Sequence, residues 1–443
     1  MKCKVLTVLH AVLLLLLCGC QGKTATPAPA APPVPPVKTV PSPPPPPVPQ
    51  QLPYDRESSE NFKRALLFVQ TMEMLRKNYV DPDKVSSEQL FNYAVKGMVS
   101  ALDPYSNYEL PKEHPLRQTQ RTGRVVGIGA TAVKPAGHPI TLIRILPGTP
   151  AAKAGLRPGD QITAIDGRNI LKLNLAEALK MLRGRPDSTV KLQLRRGKTN
   201  FSRTLVRKLV ENPSVVPGSV KCVAENIGYI KLTAFTPGSP GELRKALLEL
   251  KKQKICALIL DLRYNPGGLV DAAVNIASLF LEPEKVVFRA KSRDKSLEKT
   301  VKTHKNMTVD TTTPLIILTN AFSASCSEIL TGALQDHKRA RVLGVRSFGK
   351  GTILRVVRMP GGGALSYAAS HYVTPGGRVI EKKGIMPDIE VRIPSGDLLL
   401  LSTQTLRYPG VIRPPHRGAV ADVQLRRAVE LLQRELKNKA PAL

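Results

Sequence analysis

Two residues in the last third of the chain have types and spacing suited to covalent catalysis. Ser325 lies in the small-residue stretch Ser323-Ala324-Ser325-Cys326-Ser327. Before it runs an apolar, β-branched segment, Leu315-Ile316-Ile317-Leu318, which reads as a buried strand. After it, Glu328, Ile329, Leu330, Ala333 and Leu334 recur at helical spacing. A hydroxyl-rich turn therefore joins a buried strand to a helix N-terminus, whose free N–H groups and partial positive charge suit a reaction that creates an oxyanion. A serine nucleophile also needs a base. His337 stands at the far end of the same helix, roughly 18 Å away at 1.5 Å per residue, and Asp336 about 16 Å away. Lys350 is better placed. A helix out and a strand back through Arg341 to Val345 return the chain to the level of the serine, at Phe348-Gly349-Lys350-Gly351. The flanking glycines let backbone close around the amine. A lysine base must be buried enough to lower its pKa from about 10.4 towards 7–8, a cost of roughly 4 kcal/mol.

A second glycine-bearing turn could complete the site. The apolar run Ile255 to Leu260 leads into Asp261-Leu262-Arg263-Tyr264-Asn265-Pro266-Gly267-Gly268. Two glycines after a strand present backbone N–H groups without side-chain obstruction.

These segments resemble the carboxyl-terminal processing proteases, serine endopeptidases with a Ser–Lys dyad. The S-A-S-x-S-E segment, the F-G-K-G segment 25 residues after its serine, and the D-L-R-x-N-P-G-G turn carry the resemblance. It implies Ser325 as nucleophile and Lys350 as general base. It implies an oxyanion hole made by the N–H of Gly268 or Gly267, with Gly268 slightly favoured, and the N–H of Cys326. The implied core is an α/β fold related to the ClpP/crotonase-like spiral fold. Three positions depart from the family. Leu354 stands where relatives carry a glutamine that orients the lysine, so another group must hold Lys350 or apolar packing alone does. Phe322 replaces a glycine and Cys326 an alanine.

The elements around this core form a multidomain α/β protein. Residues 57–115 read as an N-terminal helical region: Phe62, Leu66, Val69, Met72 and Leu75 recur at three- and four-residue steps, and a second helix runs through Leu90, Tyr93, Ala94, Met98 and Ala101. Its Asn78–Pro82 and Leu102–Ser106 segments match family motifs N-Y-V-D-P and L-D-P-x-S. In relatives such helices often pack subunits together, which implies a homo-oligomer; they could equally cover the protease core. Residues 116–209 resemble a PDZ domain, β-rich with two helices. Val126-Gly127-Ile128-Gly129 matches the loop whose amides receive a terminal carboxylate, and Pro147 to Leu156 with Pro158-Gly159-Asp160 matches the run that follows. The helix Leu175 to Leu182 would flank the peptide groove. A protein C-terminus would then bind as an added strand. Arg183, after that helix, matches an arginine that links domain position to activity in relatives. Residues 210–395 would be the protease core, and 396–443 a basic extension whose amphipathic helix, Val423 to Leu436, packs onto the body.

The beginning of the chain addresses the compartment. Lys2 and Lys4 precede the apolar run Val5 to Leu17, which ends Leu17-Cys18-Gly19-Cys20. Residues 1–20 read as a bacterial lipoprotein signal cut before Cys20, the lipid-bearing residue. Gln21 favours the outer membrane of a Gram-negative cell, with the protein facing the periplasm. Residues 21–56 are a Pro-rich tether that cannot build a core. The whole chain of 443 residues carries a net charge of +32 and only 4% aromatics. It holds no nucleic-acid module, so the charge reads as attraction to an anionic envelope. Its six cysteines include no C-x-x-C pair and its seven histidines no H-E-x-x-H. No metal and no cofactor are expected. Partners would be protein C-termini as substrates, the membrane through the lipid, and an adaptor or activating protein. The function expected is an envelope-anchored serine endopeptidase. The alternative is a weak or inactive relative that binds C-termini through its PDZ domain.

Overall fold

The computed structural model describes residues 56–111, 113, 123–134, 139–173, 175–305, 310–414 and 418–439. Cys20, the signal segment and the Pro-rich stretch lie outside the described residues. The chain divides into two units, Met1–Met74 and Leu75–Leu443. In the first, the helix that begins at Arg56 exposes Phe62, Leu66, Leu67 and Val69. Among the described residues, no helix is long and apolar enough to cross a membrane.

The second unit is built on a six-stranded sheet. Its order is Lys221–Ala224, Ile227–Lys231, Ala257–Asp261, Leu315–Thr319, Arg341–Gly344 and Ile389–Glu390. All neighbours are parallel except the first pair. The strands Ile227–Lys231, Ala257–Asp261 and Leu315–Thr319 are buried at every residue. That explains the unbroken apolar runs Ala257–Leu260 and Leu315–Leu318, since a parallel strand covered on both faces has no polar side to alternate with. One face packs against Ser239–Lys252, Val270–Ala277 and Cys326–Asp336, through Leu243, Leu247, Ile276, Ile329 and Leu330. The helix Val423–Lys439 covers the other face with Leu425, Ala428, Val429 and Leu432. A five-stranded sheet stands beside it. There Ala364–Val373 pairs with Asn107–Glu109, Val286–Lys291 and Thr352–Arg358, and Lys299–Lys302 lies at the edge.

A separate apolar core organises residues 124–211. Ala130–Val133, Ile140–Ile145, Gln161–Ile165, Thr189–Arg196 and Thr199–Val206 form a sheet around Ile140, Leu142, Ile162, Ile165 and Leu192, with the helices Pro150–Lys153 and Leu175–Leu182 against it. Arg124–Gly127 pairs with Lys208–Glu211 as a two-stranded exit. The helix that starts at Val270 stops at Ala277 and finishes in tight turns. Cys222 and Cys256 are exposed free thiols.

Candidate active site

Strand Leu315–Thr319 ends at Asn320, and a tight turn follows. The Asn320 N–H donates to Ser323 Oγ at 3.0 Å, and Ser323 Oγ donates to the Leu262 carbonyl at 2.9 Å. Ser325 follows at the N-cap of the helix Cys326–Asp336, with φ 56° and ψ −115°. A β-carbon is rarely tolerated there, and such backbone costs about 1–3 kcal/mol. The surroundings hold it. The Glu328 carboxylate accepts from the Ser325 N–H at 2.8 Å, and Ala324 N–H donates to the Asn265 carbonyl at 3.0 Å.

The same carboxylate holds the lysine segment. Glu328 Oε1 accepts from Ser347 Oγ and the Gly349 N–H, each at 2.6 Å, and Oε2 accepts from the Lys350 N–H at 2.9 Å. Ser325 and Lys350 thus share one carboxylate oxygen, so their backbone nitrogens lie roughly 6 Å apart at most. Tyr372 ties them a second time. Its hydroxyl lies 2.9 Å from the Ser325 carbonyl and 2.5 Å from the Lys350 carbonyl. Glycine at 351 is required: a β-carbon there would stand 2.5 Å from the Glu381 nitrogen. Burial pushes the Lys350 amine below the ordinary lysine value, opposed by Cys326, Glu381, Asp103 and Glu328. Burial pushes the Glu328 carboxyl up, opposed by its four hydrogen bonds.

The glycine turn faces this pair. A β-carbon on Gly267 would lie 2.8 Å from the Cys326 nitrogen and 2.9 Å from Ser325 Cβ. The Gly267 N–H is used internally, donating to Asn265 Oδ1 at 2.9 Å. The Gly267 carbonyl accepts from Phe235 N–H at 3.0 Å, so in that trans peptide the Gly268 N–H points the opposite way. Of the two N–H groups, that of Gly267 is thus engaged within its own turn. Cys326 Sγ donates to the Gly268 carbonyl at 3.1 Å, and burial pushes that thiol up to about 12. Below the turn lies a charge network without water access. Asp261 accepts from Arg263, Lys231 and Tyr229, and Arg263 grips Asp422 with two 2.8 Å bonds. Burial raises the Asp261 pKa, but Arg263 and Lys231 outweigh it and hold the carboxyl well below its usual range.

The other expected site residues fall elsewhere. Ile128 is buried, and its carbonyl accepts from Ala151 N–H at 2.8 Å, which turns the Gly129 N–H the opposite way. Gly129 has φ +80°, and a β-carbon there would meet Thr149 Cβ at 2.2 Å. Val126 and Gly127 belong to the exit ribbon, facing Leu209 and Lys208. Arg183 is half-buried after the helix Leu175–Leu182. Arg207, rather than Arg183, binds the end of that helix, donating to the Met181 and Leu182 carbonyls. His337 and Asp336 are structural: Nε2 of His337 lies 2.8 Å from the Val286 carbonyl, and Asp336 pairs with Arg378. A cleft of 1230 Å³ between the sheet of residues 124–211 and the main core, lined by Leu146, Thr149, Val206, Asn212 and Pro237, includes neither Ser325 nor Lys350.

Known proteins share this organisation. The signature of peptidase family S41 matches residues 226–391, and that of the PDZ domain residues 143–196. A carboxyl-terminal-processing protease of Synechocystis sp. is 34% identical over 364 residues, covering 81% of this chain and 80% of the relative. The chain belongs to peptidase family S41. Within it, the chain is a PDZ-containing carboxyl-terminal-processing serine protease. It is also 34% identical, over 70% of its length, to a protein of Staphylococcus haemolyticus described as a CtpA-like serine protease, and spans 62% of that relative. A Bacteroides fragilis protein described as an S41 protease shares the fold, with a TM-score of 0.51 and 16% identity, covering 82% of this chain and 97% of the other.

Three further residues of this S41 peptidase shape the site: Glu328, Asn265 and Tyr372. Glu328 had a signal, a carboxylate three residues after an N-cap serine. The longer reach of its second oxygen, and the role of Tyr372, follow from tertiary packing alone.

Proposed function

We propose that this peptidase is an envelope-anchored endopeptidase that takes a protein's C-terminus on its PDZ domain and cleaves the chain at Ser325. The Val126–Gly129 loop receives the terminal carboxylate. Lys350 Nζ removes the Ser325 proton as Oγ attacks the scissile carbonyl. The Gly268 and Cys326 N–H groups hold the resulting oxyanion. When the intermediate collapses, the C–N bond breaks and the lysine ammonium protonates the leaving amine. A water, deprotonated by the same amine, then releases the acyl group from Ser325. The observation that carries this reading is the convergence of Ser325 and Lys350 on one buried carboxylate oxygen, at a helix N-terminus facing Gly267 and Gly268. The lipid on Cys20 and the basic body would hold the enzyme at an anionic membrane facing the periplasm. The apolar N-terminal helices would join copies of the chain. An adaptor could present substrates.

The test uses purified protein and an unstructured substrate ending in apolar residues. Wild type is expected to cleave it, and Ser325→Ala and Lys350→Met to lose at least about 10³-fold in kcat. Full cleavage by either variant would end the dyad reading. No cleavage by wild type, with C-terminal peptides still bound, would support a binding module instead. Incorporation of labelled palmitate lost in Cys20→Ala would establish the anchor.

A further inference from the structure

The Lys350 amine faces an aromatic ring from the opposite end of the chain. Its Nζ lies 4.7 Å from the ring centroid of Tyr105. This answers what stands near the base when Leu354, four residues on, can neither donate nor accept a hydrogen bond.

The turn carrying Tyr105 is tightly built. The Asp103 carboxylate accepts from the N–H groups of Tyr105 and Ser106, each at 2.7 Å, and from Ser106 Oγ at 2.6 Å. Ser106 Oγ in turn accepts from the Ala368 N–H at 3.1 Å. The next strand, Asn107–Glu109, pairs with Ala364–Val373, so that Tyr108 lies opposite Leu365. That partner strand also carries Tyr372, which contacts the backbone of both Ser325 and Lys350. The turn that places the ring over the amine therefore leads directly into the sheet whose strand Ala364–Val373 carries the Tyr372 hydroxyl.

We infer that Tyr105 is a positioning residue for Lys350, its ring face fixing where the amine stands when it takes the Ser325 proton. The inference rests on Lys350 being the base. An aromatic face suits that task. It attracts the ammonium through the ring quadrupole. When the amine is neutral, the face interacts with its N–H groups and leaves the nitrogen lone pair free to accept a proton. A carboxylate in the same place would hold the ammonium too firmly to release it. The carboxylates that face the amine, Asp103, Glu381 and Glu328, are engaged by backbone N–H groups at Tyr105, Gly351 and Lys350 respectively. The buried Cys326 thiol completes the titratable groups around it.

The test compares Tyr105→Leu and Tyr105→Phe in the full chain, reading kcat, KM and the pH dependence of kcat/KM for a peptide substrate. Only the neutral amine works as a base, so activity falls as pH drops through its pKa. Leucine keeps the site dry but removes the ring's attraction for the ammonium. Tyr105→Leu should lose about tenfold in kcat with KM unchanged, and its acid limb should move down by about half to one pH unit. Tyr105→Phe, which retains the ring face, should restore both. A Leu variant with wild-type kcat and acid limb overturns the inference, as does a Phe variant that behaves like Leu. Should Tyr105→Leu fail to fold, Tyr105→Met carries the same prediction. Lys350→Met run in parallel separates the two readings. If it stays active, the base assignment fails; if it is inactive while Tyr105→Leu matches wild type, only the role of Tyr105 fails.

Discussion

Around Ser325 and Lys350 the backbone is held by ionisable side chains with no access to water, whereas the Val126–Gly129 loop is held by main-chain bonds, the neutral Thr149 hydroxyl and apolar packing. In the core, Glu328, Asp261, Arg263 and Lys231 are all fully buried, and each makes charge-assisted hydrogen bonds. In the PDZ domain the loop carbonyls accept from Ala151 and Leu146, and Ile128 packs into a cluster of Ile, Leu and Val. Under the proposed function, the difference follows from what each region would handle. An oxyanion needs donors fixed before the charge appears, and charged acceptors hold backbone N–H groups more firmly than neutral ones. A peptide terminus arrives already charged and brings its own strand, so a less costly frame suffices.

The comparison breaks most sharply at Arg263. Arg263→Met would leave Asp261 and Asp422 buried without their shared partner and should destabilise the protein by about 3–5 kcal/mol, read by urea unfolding. A loss under about 1 kcal/mol would mean the network is incidental. Glu328→Gln keeps the shape but replaces one acceptor oxygen with a donor, so the N–H groups it gathers lose part of their anchor. We expect about a 10²-fold fall in kcat with little change in KM. A fall in KM affinity alone would place Glu328 in substrate binding rather than in alignment of the dyad.

Much of this frame was legible in the residues, and the limits are physical. Fully buried parallel strands announce themselves as unbroken apolar runs, so Ala257–Asp261 and Leu315–Thr319 could be placed closely. The strands Val286–Lys291 and Lys299–Lys302 could not. They mix basic, polar and apolar residues without a clear period, and their place depends on the pairing of Val286–Lys291 with Ala364–Val373 far along the chain. The positive φ of Ser325 was likewise hidden, because a serine between small residues reads as an ordinary N-cap. The link from Arg263 to Asp422 spans 159 positions and leaves no local pattern.

In the PDZ domain the expected effect is smaller and of another kind. Gly129→Ala forces a side chain onto backbone at φ +80° and against Thr149. It should weaken capture of a C-terminal peptide about tenfold and raise KM for protein substrates, while kcat at saturation stays near wild type. An equal loss in kcat would tie the loop to the chemistry and erase the contrast between the two regions.

The smallest effect is expected at Cys326, and it tests which part of that residue matters. Its N–H is the proposed oxyanion donor, and any residue except proline keeps it. Its thiol makes one weak hydrogen bond to the Gly268 carbonyl, and burial keeps it protonated well above neutral pH. The Gly268 turn has other anchors, through Phe235 on both sides of the peptide and through Asn265. Cys326→Ala should therefore lower kcat by about threefold or less, and thiol-directed reagents should leave the wild-type enzyme active. A loss approaching that of Glu328→Gln would show that the sulfur, rather than the amides around it, sets the orientation of the Gly268 peptide. The core would then rely on a neutral contact where it otherwise uses charge.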